Sequence, residues 1–142
     1  MADARTSRHL PAHFPPLTYL GFALVVMLVG LVLRFAPLGL PFALTKWGGS
    51  VLWAVMVYLL FAAFVPRLGP WGLAGLAGAF ATLVELSRLY HSPGLDAFRL
   101  TLAGALLLGR VFERMHLVCY WGGILAATLL DWLWLRRRPG GR

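Results

Sequence analysis

The residues of this chain that could do chemistry are concentrated in one run, Glu85-Leu-Ser-Arg88-Leu-Tyr90-His91-Ser-Pro-Gly-Leu-Asp96-Ala-Phe-Arg99. Two carboxylates, two arginines, a tyrosine and a histidine share a segment that turns at Pro93-Gly94. Glu85 and Arg88 are spaced i, i+3, one helical turn apart on nearly the same face. Glu85 falls just inside the end of an apolar run. An ionisable group at that depth is costly, so it should face a helix bundle and have a partner. Arg88 is the first candidate partner and Lys46 the second. Two readings of Glu85 carry equal weight: a ligand-binding or acid/base group, and a buried ion pair that fixes helix packing. Asp96 and Arg99 repeat the i, i+3 spacing. Singly, Asp96 suits a helix cap and Arg99 an interfacial position. Together, Lys46, Arg88 and Arg99 make a cationic patch whose guanidinium forks match phosphate oxygens.

Other constellations are weaker. His116-x-x-Cys119 places two metal-ligating types on one helical face, and His91 with Asp96 or Glu85 would extend the set. No HExxH or CxxC spacing accompanies it, so no metal or other cofactor is expected. Ser87 or Ser92 beside His91 is no stronger evidence for a nucleophile. There is no phosphate-cradling glycine loop and no dinucleotide fingerprint. The lone Cys119 rules out an intrachain disulfide.

Composition indicates what must position these residues. The chain has 142 residues, 60% of them hydrophobic and only 13% charged. Its mean hydropathy is +0.77. A soluble domain is about a quarter charged, so the outer surface here needs lipid to cover it. Thirteen basic residues against five acids give a net charge of +8. The basic residues sit between apolar runs and after the last one. That is a membrane distribution rather than the basic face of a nucleic-acid binder.

The pattern predicts an all-α, polytopic membrane bundle of four transmembrane helices plus a short re-entrant or interfacial helix. Residues 1–16 read as a flexible cytoplasmic tail. A single membrane domain spans 17–135, with crossings at 17–33, 47–65, 71–90 and 117–135. Residues 96–110 contain an apolar run too short to cross, bracketed by Arg99 and Arg110. A fifth crossing there is the less favoured alternative. Residues 136–142 form a basic tail. Lys46, Ser50, Trp53 and Val57 follow i, i+4, i+7, i+11 and share a face of the second span. Gly72, Gly75 and Gly78 among alanines offer close helix contact inside the bundle or, alternatively, oligomerisation. Asp131, within a turn of Arg136, Arg137 and Arg138, reads as one half of an interfacial ion pair.

Four crossings bring distant residues to one membrane face: Arg34, Lys46, Ser50, Glu85, Arg88, His91, Asp96, Arg99, His116 and Tyr120. Counts of basic residues on the two sides nearly balance. The arginine run directly after the last span argues for both termini in the cytoplasm.

Several stretches resemble a family of small bacterial membrane proteins known as domain of unknown function 2809. They are Lys46-Trp47-Gly48, Trp53-Ala-x-Met-Val-Tyr58, Glu85-Leu-Ser-x-Leu-Tyr90, Leu95-Asp96-Ala-x-Arg99, Leu108-Gly109-x-x-Phe112, Tyr120 and Gly123. The likeness covers roughly Leu17 to Asp131. The layout is more distantly similar to VanZ-like proteins, which are associated with teicoplanin resistance and also place a glutamate, an aspartate and an arginine after a membrane span. Arg88 stands where a glutamine is usual in the family, and Gly49 and His116 where acids are usual. Those departures make the cluster more cationic.

The expectation is an integral protein of the bacterial inner membrane and cell envelope, without established activity. It should bind an anionic lipid or lipid-linked headgroup through Lys46, Ser50, Glu85, Arg88, Tyr90, His91, Asp96, Arg99, His116 and Tyr120. Membrane lipids are its expected partners and nucleic acid is not. One alternative is an enzyme on a lipid-linked substrate, with Glu85 as acid/base and Arg99 as clamp. The other is a scaffold whose charges only hold helices.

Overall fold

The computed structural model describes residues 14–137 and is all-helical over them. Helix α1 (Pro16–Phe35) starts on a proline whose fixed φ suits a first turn. It stops where Ala36 turns extended before Pro37. Helix α2 (Phe42–Phe64) starts directly after Pro41, five residues ahead of the expected start at 47. Lys46 therefore lies in the second turn of α2. Helix α3 (Pro70–Ser87) is shorter than its apolar run, and Tyr90 lies beyond its end. Helix α6 (Arg114–Arg137) closes the chain.

Between α3 and α6 the single expected helix over 96–110 is two. Helix α4 (Pro93–Leu100) and helix α5 (Leu102–Leu107) are separated by Thr101 in extended conformation. Each has its own hydroxyl cap. Ser92 Oγ accepts from Leu95 N at 3.4 Å, and Thr101 Oγ1 accepts from Gly104 N at 3.1 Å. The cap of α4 is thus Ser92 and not Asp96. Pro93 takes the first helical position, which puts the residue before it at the cap. The two helices fold tightly on each other at Gly104, where any Cβ would strike the Phe98 carbonyl and the Arg99 backbone.

Helices α1, α2 and α6 are long and apolar enough to cross a membrane. Only 11% of the most apolar window of α1 is buried inside the protein, so its outer face needs lipid. Helix α2 is central and contacts α1, α3 and α6. Small residues permit this. Ala54, Ala62, Ala63, Ala74, Ala77, Ala81 and Ala127 are buried around Tyr58, Leu73 and Ile124. Trp121 lies on Gly78, and the Val51 carbonyl approaches Gly123. Close backbone approach of this kind supplies van der Waals attraction where lipid removes the hydrophobic drive.

Asp131 ties three helices together. Its buried carboxylate accepts from Tyr19 Oη at 2.9 Å and from Tyr58 Oη at 2.8 Å. It is therefore no exposed interfacial group, because two tyrosines on neighbouring helices close over it. The expected contact of Asp131 with Arg136, Arg137 and Arg138 lies outside the described side chains, as do residues 1–13 of the expected tail 1–16 and residues 138–142 of the expected tail 136–142.

Candidate functional site

The expected residues divide into two clusters. The first joins α2, α3 and α6 around Glu85, which is completely buried. Glu85 Oε2 lies 2.5 Å from Arg88 Nη1 as an ion pair. Glu85 Oε1 accepts from the backbone N–H of Glu113 at 2.8 Å and lies 3.2 Å from His116 Nδ1. The rest of the Arg88 fork is also occupied. Nε donates to the Leu108 carbonyl at 2.5 Å, Nη1 to the Val111 carbonyl at 3.3 Å and Nη2 to Tyr120 Oη at 3.0 Å. Arg88 Nη1 also lies 2.8 Å from His116 Nδ1. His116 Nδ1 thus lies between the Arg88 donor and the Glu85 acceptor.

Local chemistry explains why Arg88 can hold the 108–111 loop. Gly109 adopts a left-handed φ of 70°, which a glycine reaches without penalty. The guanidinium lies against it where a Cβ would stand. The loop can then present two carbonyls to one arginine. The expected pairing of Lys46 with Glu85 does not occur. Lys46 Nζ pairs with Glu113 Oε2 at 2.6 Å, each side chain about one-third exposed. Glu113 stands just before the first residue of α6, three residues before His116. Its role depends on how α6 sits beside α2, which no local spacing encodes.

The second cluster is a cap for the end of α3. Arg99 is 3% exposed. It donates to the Ser87 carbonyl at 2.5 Å, the Tyr90 carbonyl at 2.9 Å and Asp96 Oδ1 at 3.0 Å. Cationic donors at a helix C-terminus satisfy its free carbonyls and suit its dipole. Asp96 Oδ1 also meets the exposed His91 at 3.3 Å. The Tyr90 ring is exposed and only its carbonyl takes part. Arg110 plays the same part for α4, donating to the Arg99 carbonyl at 3.3 Å and the Leu100 carbonyl at 3.5 Å. Arg88 and Arg99 are therefore not a joint cationic patch. Each guanidinium is committed to backbone and carboxylate of its own cluster.

A cleft of about 1100 Å³ opens beside the first cluster. Its apolar walls include Met27, Leu31 and Phe35 of α1, Leu52 and Met56 of α2, and Leu102 and Leu106 of α5. Its polar lining is Arg34, Thr45, Lys46, Ser50, Arg88, Thr101, Arg110, His116 and Tyr120. Of the expected site residues, Lys46, Ser50, Arg88, His116 and Tyr120 line the cleft. Glu85 lies behind it, and Tyr90, His91, Asp96 and Arg99 do not line it. Arg34, expected on the same membrane face, and Arg110 join the lining as further cations. Arg34 is exposed and has no hydrogen bond or ion pair among the described residues. The aromatic members are continuous, with Trp47 edge-on to His116, His116 stacked on Tyr120, and Tyr120 tilted on Trp53. Among the described residues no group of three His, Cys, Asp or Glu is arranged to hold a metal.

The fold and cleft define a class: an all-helical membrane protein with a charged network at one end of its bundle. Within that class the chain belongs to the family described as a protein of unknown function (DUF2809), whose model matches residues 39–124. The match runs from before α2 into the first half of α6. It therefore includes Lys46, Glu85, Arg88, Glu113, His116 and Tyr120, and leaves out Tyr19, Arg34 and Asp131. No solved structure matches the chain.

Proposed function

We propose that the protein is a non-enzymatic membrane protein that holds an anionic lipid or lipid-linked headgroup in the cleft between α1, α2 and α5. The observation that carries this is the cleft's polarity. Apolar walls from three helices lead to Arg34, Lys46, Arg110, Ser50 and His116. That pattern suits an amphipath, with acyl or prenyl chains against the walls and an anion among the cations. The exposed apolar surface of α1 beside the cleft supports this reading. Glu85 does not line the cleft, and both of its oxygens are engaged within the protein. This weighs against Glu85 as an acid or base on a bound molecule. Arg99 does not line the cleft either, so the proposed site does not include it.

The same reading makes α3 a fourth crossing. Its 18 residues rise about 27 Å, close to a hydrocarbon core of about 30 Å. Helices α4 and α5 then lie at the interface on the cleft side. Both termini lie opposite, in the cytoplasm of a bacterium whose inner membrane houses the protein.

The test is native mass spectrometry of detergent-purified protein. The wild type retains co-purified anionic lipid. The double variant Arg34→Ala, Lys46→Ala loses most of it, while zwitterionic lipid is unaffected. Equal anionic-lipid retention by both proteins would sink the proposal.

A further inference from the structure

We infer that a proton and the anionic headgroup bind to the cleft together, and that His116 is the proton's site. The inference rests on the cleft reading above and deepens it. His116 lines the cleft, as does Lys46. A carboxylate stands near each nitrogen of the His116 ring. Glu85 Oε1 lies 3.2 Å from Nδ1, and Glu113 Oε2 lies 4.0 Å from Nε2. A neutral imidazole has one N–H and can serve only one of these acceptors, whereas imidazolium has two. Arg88 Nη1, 2.8 Å from Nδ1, opposes a proton there. The remaining neighbours of the ring are the edge-on Trp47 and the stacked Tyr120. The free site therefore holds the two forms of the ring in competition.

Charge balance decides which form an anion selects. The ion pairs Lys46–Glu113 and Arg88–Glu85 leave the network neutral around a neutral ring. Protonation of His116 adds one positive charge. The same atom, Glu113 Oε2, holds the Lys46 ammonium at 2.6 Å and faces His116 Nε2. A charged ring shares that carboxylate and leaves Lys46 more of its charge to offer into the cleft. A phosphodiester headgroup brings one negative charge and restores the balance. Such coupling is reciprocal: the proton strengthens anion binding by the factor by which the anion strengthens proton binding. Anion binding therefore falls as pH rises through the range in which histidine loses its charge. Arginine does not titrate there, so Arg34 and Arg110, the other cations of the lining, give no such dependence.

The experiment measures retention of dioleoyl phosphatidylglycerol against dioleoyl phosphatidylcholine by full-length protein equilibrated at about pH 5.5 and about pH 8, read by native mass spectrometry. Phosphatidylglycerol carries one negative charge at both. Wild type is expected to retain at least about fivefold more of it at the lower pH, the lower end of typical coupling between two sites. His116→Gln should hold the higher-pH level at both. His91→Gln, whose ring is exposed and outside the cleft, should behave as wild type. A second measurement needs no substitution: adding phosphatidylglycerol to wild type in weak buffer at about pH 6.5 should draw protons from solution, beyond the uptake of protein-free micelles, as seen with an indicator dye. Equal phosphatidylglycerol retention at both pH values, a pH dependence that survives in His116→Gln, or no proton uptake would overturn the inference and leave lipid binding standing. No preference for phosphatidylglycerol over phosphatidylcholine at either pH would overturn both readings. Glycerophosphoglycerol, the same headgroup without chains, should not displace the lipid at millimolar concentration. If it does, the ligand is a free anion and the lipid reading falls.

Discussion

At the scale of single residues, the chain keeps its charges paired where they are deepest. Glu85 is the sharpest case, because breaking a buried pair leaves an uncompensated charge. Arg88→Leu should therefore destabilise the protein by about 3–5 kcal/mol, read by thermal unfolding in detergent. The double variant Glu85→Leu, Arg88→Leu should recover part of that loss, since apolar replacement of both partners removes the stranded charge. Arg88→Lys keeps the charge but has no fork, so it cannot span Leu108, Val111 and Tyr120 at once. It should fall between the two. The Glu85–Arg88 pair was legible in the sequence, because i, i+3 spacing at the end of an apolar run leaves few alternatives. The partner of Lys46 was not legible. Glu113 lies 67 residues away in sequence, and nothing local says that these two helix starts meet.

At the scale of elements, the connection between α3 and α6 is where sequence reading and structure diverge most. An apolar run with arginines at both ends reads as one short interfacial helix. The structure divides it at Thr101, because a threonine hydroxyl can cap a new helix and Gly104 allows α5 to fold back on α4. Arg99 then serves a helix end rather than a ligand, while Arg110 lines the cleft and also reaches the last carbonyls of α4. Gly109→Ala tests the loop that follows. A left-handed non-glycine residue costs about 1–2 kcal/mol, and the added Cβ meets the Arg88 guanidinium. The variant should unfold at lower temperature and should also weaken lipid retention by moving Arg88 and His116. On the other side of the bundle, Tyr19→Phe and Tyr58→Phe each remove one bond to Asp131. Each should cost about 1 kcal/mol, and Asp131→Leu more than either alone. Denaturation in mixed micelles reads all three. The importance of Asp131 was not legible, because its nearest charged neighbours in sequence are arginines. Its tyrosines come from α1 and α2.

At the scale of the whole molecule, the polar residues are segregated along the bundle. The Glu85–Glu113–His116 network sits near the start of α6. The Asp131 cluster lies about 22 Å further along the same helix by its rise per residue. Such separation leaves the polar cleft at one end while Asp131 holds α1, α2 and α6 together at the other. The four-crossing reading predicts that a C-terminal alkaline phosphatase fusion is inactive and a C-terminal green fluorescent protein fusion is bright. An active phosphatase fusion would place the C-terminus outside and refute the proposed orientation. Single cysteines introduced at Leu100 or Leu102 should be labelled by an impermeant reagent from the periplasmic side.

The sequence by itself determined that this is an apolar, all-helical membrane protein. It also determined that Glu85 needs a partner within one turn. Both follow from short-range rules: the hydropathy of each run, the proline boundaries and the three- and four-residue periodicity of a helix. Only the tertiary structure decided which cations remain available. Arg88 and Arg99 carry the same charge as Arg34. They are spent on carbonyls and carboxylates brought to them by helix packing, whereas Arg34 lines the cleft without a partner among the described residues. A guanidinium's use depends on which acceptors surround it, and those acceptors arrive from parts of the chain that sequence spacing does not relate.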